Sequence, residues 1–455
     1  MNKNTITAIS TAQGSGGIGV IRISGENAIE IADKVFKTAN NKKLTTLKGY
    51  CASFGSIYSN GEKIDEGVAL VFKAPHSYTG ENVVEISCHG GIYLTKEVLR
   101  SIISAGASPA EAGEFTKRAF LNGKLDLTEA ESVMDLISAK GKNSARVALL
   151  CKEGSISKKT DNICDSLINS TAHLSAWADY PEEDIPEVSE TQLFLNLKNA
   201  KEELSNLINS YDKGKIIKDG IDTIIVGKPN VGKSTLMNLL AGCDKSIVTE
   251  IAGTTRDIIE ETVNVGNVIL TLSDTAGIRD TENPVEKIGV ERARERIRNC
   301  GLVLAMFDGS SKLTNDDKKL LISLIDIPSV AIINKTDLEN VIDITFIEQY
   351  VKEIVYISAK NSDGVQDLID VIEKITGTTD FNPSDTVLTT ERQRNSAQKA
   401  YECLDEAITS LKIGMTLDAV TVTIEDAIAN LLELTGKRAS EEVVNQVFTH
   451  FCVGK

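Results

Sequence analysis

Hydrophobic and polar positions change their period three times along this chain. From residue 1 to about 118, short apolar runs of β type alternate with turns: Thr5–Ile9, a glycine-rich stretch Gly14–Gly19, Val20–Ser24, Val68–Phe72 and Val83–Ile86. That texture predicts an α+β domain. From Phe115 to about Gly214 the apolar residues recur every three or four positions with few Gly or Pro, as in Leu127–Ile137. Amphipathic helices have that period. It returns from Glu391 to the end, in Ala400–Leu411 and Ala427–Leu434.

Between the two helical stretches, strand-type runs (Ile221–Val226, Val268–Leu272, Leu302–Phe307, Val330–Ile333, Ile354–Ile357) alternate with helical ones (Glu286–Arg298, Asp316–Leu324, Val365–Ile375). Such alternation predicts a mostly parallel sheet covered on both faces, with ligands at the carboxyl ends of its strands. The expected layout is multidomain: an N-terminal α+β domain (1–118), a helical domain in two parts (119–215 and 381–455), and an inserted α/β module (216–380). The C-terminal stretch is a small core to stand alone, which favours one discontinuous helical domain over two independent bundles.

Composition changes this picture little. The 455 residues are 41% apolar and 25% charged, ordinary for a soluble globular protein. No run of about 18 apolar residues occurs, and Met1–Thr5 lacks the apolar stretch of a signal peptide, so the expectation is a cytoplasmic protein without membrane contact. A formal charge of −16 argues against non-specific coating of nucleic acid, which depends on Lys and Arg neutralising phosphates. Residues 117–159 run against that trend, with nine Lys/Arg to five acids, a feature that a solvated helix face explains as well as an RNA contact does. The eight cysteines are scattered without a Cys-x-x-Cys pair, so buried free thiols are the default. Cys452, beside the end of the chain, is the exception.

Chemistry enters at Gly227-Lys-Pro-Asn-Val-Gly-Lys-Ser234, placed between a strand run and a helix start. Backbone N–H groups of such a loop turn inward around phosphate oxygens, Lys233 reaches the terminal phosphates, and the Ser234 hydroxyl can ligate Mg²⁺. Four more motifs follow in the order of a Ras-like GTPase. Gly253-Thr-Thr-Arg-Asp257 offers Thr255 to Mg²⁺ and the γ-phosphate, and Asp274-Thr-Ala-Gly277 ends a strand. Asn334-Lys-Thr-Asp337 brings the Asp337 carboxylate, an acceptor matched to the N1–H and 2-amino donors of guanine, and Ser358-Ala-Lys360 completes the base pocket. The expected GTP-binding set is Asn230, Val231, Gly232, Lys233, Ser234 and Thr235; Thr249, Glu250, Ile251, Ala252, Gly253, Thr254 and Thr255; Asp274, Thr275, Ala276 and Gly277; Asn334, Lys335 and Asp337; Ser358, Ala359 and Lys360.

Where Ras places a glutamine to orient water, this chain has Ile278, so Glu282 or Glu286 is expected to position the water, unless Glu286 only favours its own helix N-terminus. Arg256 and Arg279 are the candidate cis cations. The alternative is K⁺, held by the Asn230 side-chain oxygen and the backbone oxygens of Thr249, Ile251 and Thr254, since hard oxygen donors suit hard cations. The ending Cys452-Val-Gly-Lys455 is no lipidation box. It follows the apolar Val447–Phe451 and is expected to be carried into a packed site.

With Gly16–Gly25, Tyr78–Glu85, Cys88–Gly91, Gly113–Thr128 and the Cys-x-Gly-Lys ending added to the G motifs, the sequence resembles the MnmE (TrmE) family over its whole length. That resemblance implies a GTPase that modifies the wobble uridine of certain tRNAs. It implies an N-terminal domain similar to tetrahydrofolate-binding domains, which also dimerises, and a 5-formyl- or 5,10-methylene-tetrahydrofolate donor held by Arg22, Glu85, Lys124 and Lys455, with Cys452 near the modification site. It further implies K⁺ activation through Asn230 and the loop Thr249–Thr254, water positioning by Glu286, and G domains of a homodimer that meet across their nucleotide faces. The implied partner is the FAD- and NADH-using MnmG, in a heterotetramer that installs aminomethyl or carboxymethylaminomethyl groups at uridine C5. Two departures, Ser15 and Ser108–Ala112, remove positive charge the family carries and put an RNA contact of the N-terminal domain in doubt. The competing readings are a ribosome-assembly GTPase switch without modification chemistry and a folate-binding scaffold with a vestigial GTPase, the second opposed by the intact motif set.

Overall fold

The computed structural model describes residues 4–179, 189–243, 260–273, 297–298, 300–449 and 451–455. They fall into two compact units. One is drawn from 1–134, 152–201 and 399–455, the other from 135–151 and 202–398.

In the first unit, β1 (Ile6–Ile9), β2 (Ile18–Ser24), β3 (Phe36–Thr38), β4 (Cys51–Ser59), β5 (Glu62–Phe72), β6 (Val83–His89) and β7 (Ser108–Pro109) form one sheet in the order β3-β4-β5-β6-β2-β1-β7. Every pairing is antiparallel except β1 with β7. Alternation along the strands sorts the two faces. Ile21, Ile23, Ala69, Val71, Val84 and Ile86 are buried in one core with residues of the helices Ala28–Val35 and Ile92–Ser104. Arg22 and Glu85, cross-strand partners in the β2–β6 register, point to the other face. The helix Ala28–Val35 buries Ala28, Ile29, Ile31, Ala32 and Val35, a 3.6-period stripe too short to stand out in sequence.

The two helical stretches join in this unit. Helix Ser155–Asp179 packs along Leu417–Thr435. Leu127, Ala130 and Val133 share a core with Val444, Phe448 and Phe451 from the other end of the chain. The helical domain is therefore discontinuous and interrupted by the inserted module.

The second unit holds that module. Its strands β8 (Ile221–Val226), β9 (Glu260–Val265), β10 (Val268–Ser273), β11 (Leu302–Asp308), β12 (Ser329–Asn334) and β13 (Glu353–Tyr356) lie in the order β13-β12-β11-β8-β10-β9. All pairs are parallel except the β9–β10 hairpin. Alternate residues of β11 serve opposite cores: Leu302, Leu304 and Met306 on one face, Val303, Ala305 and Phe307 on the other. That double burial is why the run reads as continuously apolar. Strand β9 is an addition to the sequence expectation. Its Glu260-Glu-Thr-Val-Asn-Val265 carries polar residues along an edge and shows no apolar run. Of the expected helix Glu286–Arg298, only 297–298 lie inside the described residues. No helix among those residues is long and apolar enough to cross a membrane.

Candidate functional site

Two residue constellations stand out, one in each unit. In the second unit, the loop after β8 turns through three left-handed positions: Gly227 at φ 149°, Asn230 at φ 64° and Gly232 at φ 107°. At Gly232 the requirement is steric as well, because a Cβ would overlap the Asn334 amide nitrogen. Helix Lys233–Cys243 starts directly behind the loop and aims its free N–H groups into it. The Lys233 ammonium bridges the loop, donating to the Gly227 and Lys228 carbonyls at 2.7 Å each. Ser234 and Thr235 are exposed at the helix start.

The residues expected to read the base lie at the ends of the neighbouring strands, as a parallel sheet requires. Asn334 closes β12 and is 4% exposed. Its Nδ2 donates to the Val231 carbonyl at 2.7 Å, and its Oδ1 accepts the Ala359 N–H at 2.9 Å. One buried side chain thus ties the phosphate loop to the Ser358–Lys360 loop. The Ser358 hydroxyl donates to Asp337 Oδ1 at 2.8 Å and fixes an exposed carboxylate. Lys335, left-handed at φ 69°, pairs with Asp308. Burial raises the Asp308 carboxyl, but the Lys335 ammonium and the Ser310 hydrogen bonds outweigh it and hold the group below its ordinary value.

The structure thereby brings Asn230, Val231, Gly232, Lys233, Ser234, Asn334, Lys335, Asp337, Ser358 and Ala359 together. Lys360 is exposed beside them. Thr249, Glu250, Ile251, Ala252, Gly253, Thr254, Thr255, Arg256, Asp274, Thr275, Ala276, Gly277, Arg279, Glu282 and Glu286 lie outside the described residues. Sequence reasoning passed over Lys228 and Asp317, which form an ion pair behind the loop. Lys228 fills a motif position where any residue is allowed, and Asp317 lies 89 residues away, so neither carries a local signal.

In the first unit, Arg22 Nε and Nη2 both reach Glu85 Oε1 at 2.8 Å. The guanidinium carbon also stands 5.4 Å from the Tyr78 ring centroid and 5.6 Å from that of Phe115, so the cation is clamped between aromatic faces as well as paired. Tyr78 and Phe115 sit inside motifs that the sequence singles out, yet nothing in their spacing marks them as the clamp. The last residues of the chain close on this cluster. The Gly113 N–H donates to the Cys452 carbonyl at 3.4 Å, Phe115 N–H to the Lys455 main-chain oxygen at 3.2 Å, and Ser10 Oγ to the Gly454 carbonyl at 3.1 Å. Burial lowers the Lys455 ammonium pKa, the Arg22 and Lys152 charges lower it further, and Glu85 and Cys452 oppose them. Cys452 itself is exposed.

Lys124 contacts other groups. Its ammonium donates to the Pro75 carbonyl at 3.4 Å, on the loop that leads to Tyr78. A cleft of about 1060 Å³ opens between helices Glu114–Leu121 and Glu441–Thr449, lined by Glu81, Glu114, Arg118, Asn445 and Phe448. None of Arg22, Glu85, Lys124 and Lys455 lines it, so size alone does not locate the chemistry in this unit.

The donor set of the Arg22 cluster suits a flat, polar, anionic ligand: two cations, one carboxylate acceptor and two aromatic rings. The loop before Lys233 suits a polyphosphate. Residues 5–124 match the model of the GTP-binding protein TrmE N-terminus, and residues 127–452 match that of the MnmE helical domain. A tRNA modification GTPase MnmE of Natranaerobius thermophilus is 43% identical, covering 100% of both chains. Its counterpart in Acetivibrio thermocellus is 41% identical over 100% of this chain and 99% of its own, and that of Clostridioides difficile 41% over 99% of each. Among solved structures, Era in complex with MgGDPNP and 16S ribosomal RNA nucleotides is 28% identical over 40% of this chain and 66% of that one, with a TM-score of 0.28.

Proposed function

The chain belongs to the family of the tRNA modification GTPase MnmE, and on that premise we propose a K⁺-activated GTPase that, with an FAD-dependent partner of the MnmG type, adds an aminomethyl or carboxymethylaminomethyl group to C5 of the wobble uridine of certain tRNAs. The one-carbon unit comes from 5-formyl- or 5,10-methylene-tetrahydrofolate. The observation that carries this reading is the bonding of Lys455 to Phe115, whose ring packs on the Glu85-paired Arg22, in a chain that also holds a phosphate loop. A ribosome-assembly switch has no use for the first of these.

Each residue has a defined task. Lys233 and the N–H groups at the start of its helix neutralise the phosphates, and Asp337, fixed by Ser358, accepts from the guanine edge. Magnesium would be held by Ser234 and Thr255 and would supply charge neutralisation between the phosphates. Potassium would be held by Asn230 with the backbone oxygens of Thr249, Ile251 and Thr254. Glu286 positions the attacking water, and Arg256 and Arg279 are candidates for further transition-state charge. In the first unit Arg22, Lys124 and Lys455 bind the anionic donor while Glu85 accepts from its pterin N–H groups, and Cys452 lies on the exposed side of the same turn.

The proposed division is 1–118 for folate binding and dimerisation, 119–215 and 381–455 for the helical domain, and 216–380 for the G domain. The working form is a cytoplasmic homodimer that assembles with its partner into a heterotetramer on tRNA. Mass spectrometry of tRNA nucleosides from cells lacking this chain tests the reading: unchanged wobble uridines refute it. Equal GTP hydrolysis in K⁺ and Na⁺ refutes the cation assignment alone.

A further inference from the structure

The crown of the phosphate loop, Pro229–Asn230, is held at its two flanks. On one side the Val231 carbonyl is fixed by Asn334 Nδ2 at 2.7 Å. On the other, Lys228 pairs with Asp317, the third residue of helix Asn315–Ser323. Asp317 is itself locked, because its Oδ2 accepts from the Thr314 N–H at 2.9 Å and the Thr314 hydroxyl at 3.0 Å in a capping box. The carboxylate is nearly buried, at 10% side-chain exposure, and the ammonium half-buried at 29%.

A half-open pocket of about 110 Å³ lies against the loop, lined by Lys228, Pro229, Val231, Phe307, Asp308 and Asp317 among others. Packed side chains therefore do not back the crown from that direction, and a loop without its ion pair has room to sag. The Lys228 carbonyl also accepts from Lys233, so a shift of Lys228 moves an anchor of the phosphate-binding ammonium.

We propose that Asp317 is a positioning residue for nucleotide binding, acting through Lys228 to hold the phosphate loop in its receptive shape. The inference rests on the reading of this loop as a guanine-nucleotide site. Binding of a fluorescent GDP analogue to the full chain tests it. Asp317→Asn keeps an acceptor for the Thr314 cap but removes the charge, and it weakens analogue affinity about fivefold, the scale of one partly buried ion pair. kcat at saturating GTP stays within about twofold, and the melting temperature moves by less than about 3 °C. Lys228→Gln, which leaves the capping box whole, gives the same affinity loss, the double variant adds nothing further, and Lys228→Arg restores binding. Unchanged or tighter binding in Asp317→Asn overturns the proposal, as do additive losses in the pair. If Asp317→Asn unfolds, Lys228→Gln alone decides by the same criterion. Failure of the unsubstituted chain to bind the analogue undoes the nucleotide reading instead.

Discussion

Asn334 stands in the motif associated with guanine recognition, yet both ends of its amide are spent on protein, on the Val231 carbonyl and the Ala359 N–H. It thereby holds two loops in register, and the proposed discrimination of the base by Asp337 does not depend on it. Asn334→Ala leaves two buried backbone groups without partners, at about 1–3 kcal/mol each. We expect the variant to lose at least tenfold in GTP and GDP affinity together, with no change in the preference for guanine over adenine, checked by competition titration. A second residue-scale expectation concerns His89, whose Nδ1 lies 2.8 Å from Asp65 Oδ1. That hydrogen bond and the Asp65 charge raise the imidazole pKa above its ordinary value. A raised folded-state value means that the stabilisation is fully present below the unfolded value of about 6.5 and fades as pH rises through the folded one. Urea unfolding of His89→Gln and the unsubstituted chain should therefore differ most at the acid end and converge toward pH of about 8. At this scale the phosphate loop was readable because its chemistry fixes residue types at fixed spacing. The Asp317 brace was not, because a distant ion pair leaves no mark in either local sequence.

Among the elements, legibility followed burial. Strands β8, β11 and β12, covered on both faces, read as apolar runs, and helix Val365–Ile375 appeared at its observed bounds. The polar edge strand β9 did not, because an exposed edge needs no apolar pattern, nor did the interior strand β4, whose run Gly55 interrupts. The turn before helix Glu114–Leu121 shows how an element can be set by a distant one. Gly113 is left-handed at φ 66°, and a Cβ there would stand 2.8 Å from Phe451 Cβ and 3.0 Å from the Phe448 carbonyl oxygen. The sequence contains the glycine but not the reason for it, which comes from the other end of the chain. Gly113→Ala should cost about 2 kcal/mol through strain and overlap and should unseat the Cys452–Lys455 turn. Faster alkylation of Cys452 by a soluble maleimide, with the sheet intact by circular dichroism, would show it.

At the scale of the molecule, periodicity marked two helical stretches around an inserted module, and the small size of the second favoured one helical domain over two. The shared core of Leu127, Ala130 and Val133 with Val444, Phe448 and Phe451 explains why neither part could serve alone. What periodicity could not reveal is that the Cys452–Lys455 turn is bonded to the opening domain. The Ser10 hydrogen bond to the Gly454 carbonyl spans 444 residues. At synthesis rates of about 5–20 residues per second, the ribosome delivers these two partners roughly 20–90 s apart. The opening sheet can form early around its own apolar face, but the hydrogen bonds from Ser10, Gly113 and Phe115 to the Cys452–Lys455 turn wait until that turn has been made. A nascent chain stalled short of release should therefore show the protease resistance of the folded sheet and bind no 5-formyltetrahydrofolate, with binding appearing on release. A variant lacking Cys452–Lys455 is expected to keep guanine-nucleotide binding and to bind no 5-formyltetrahydrofolate.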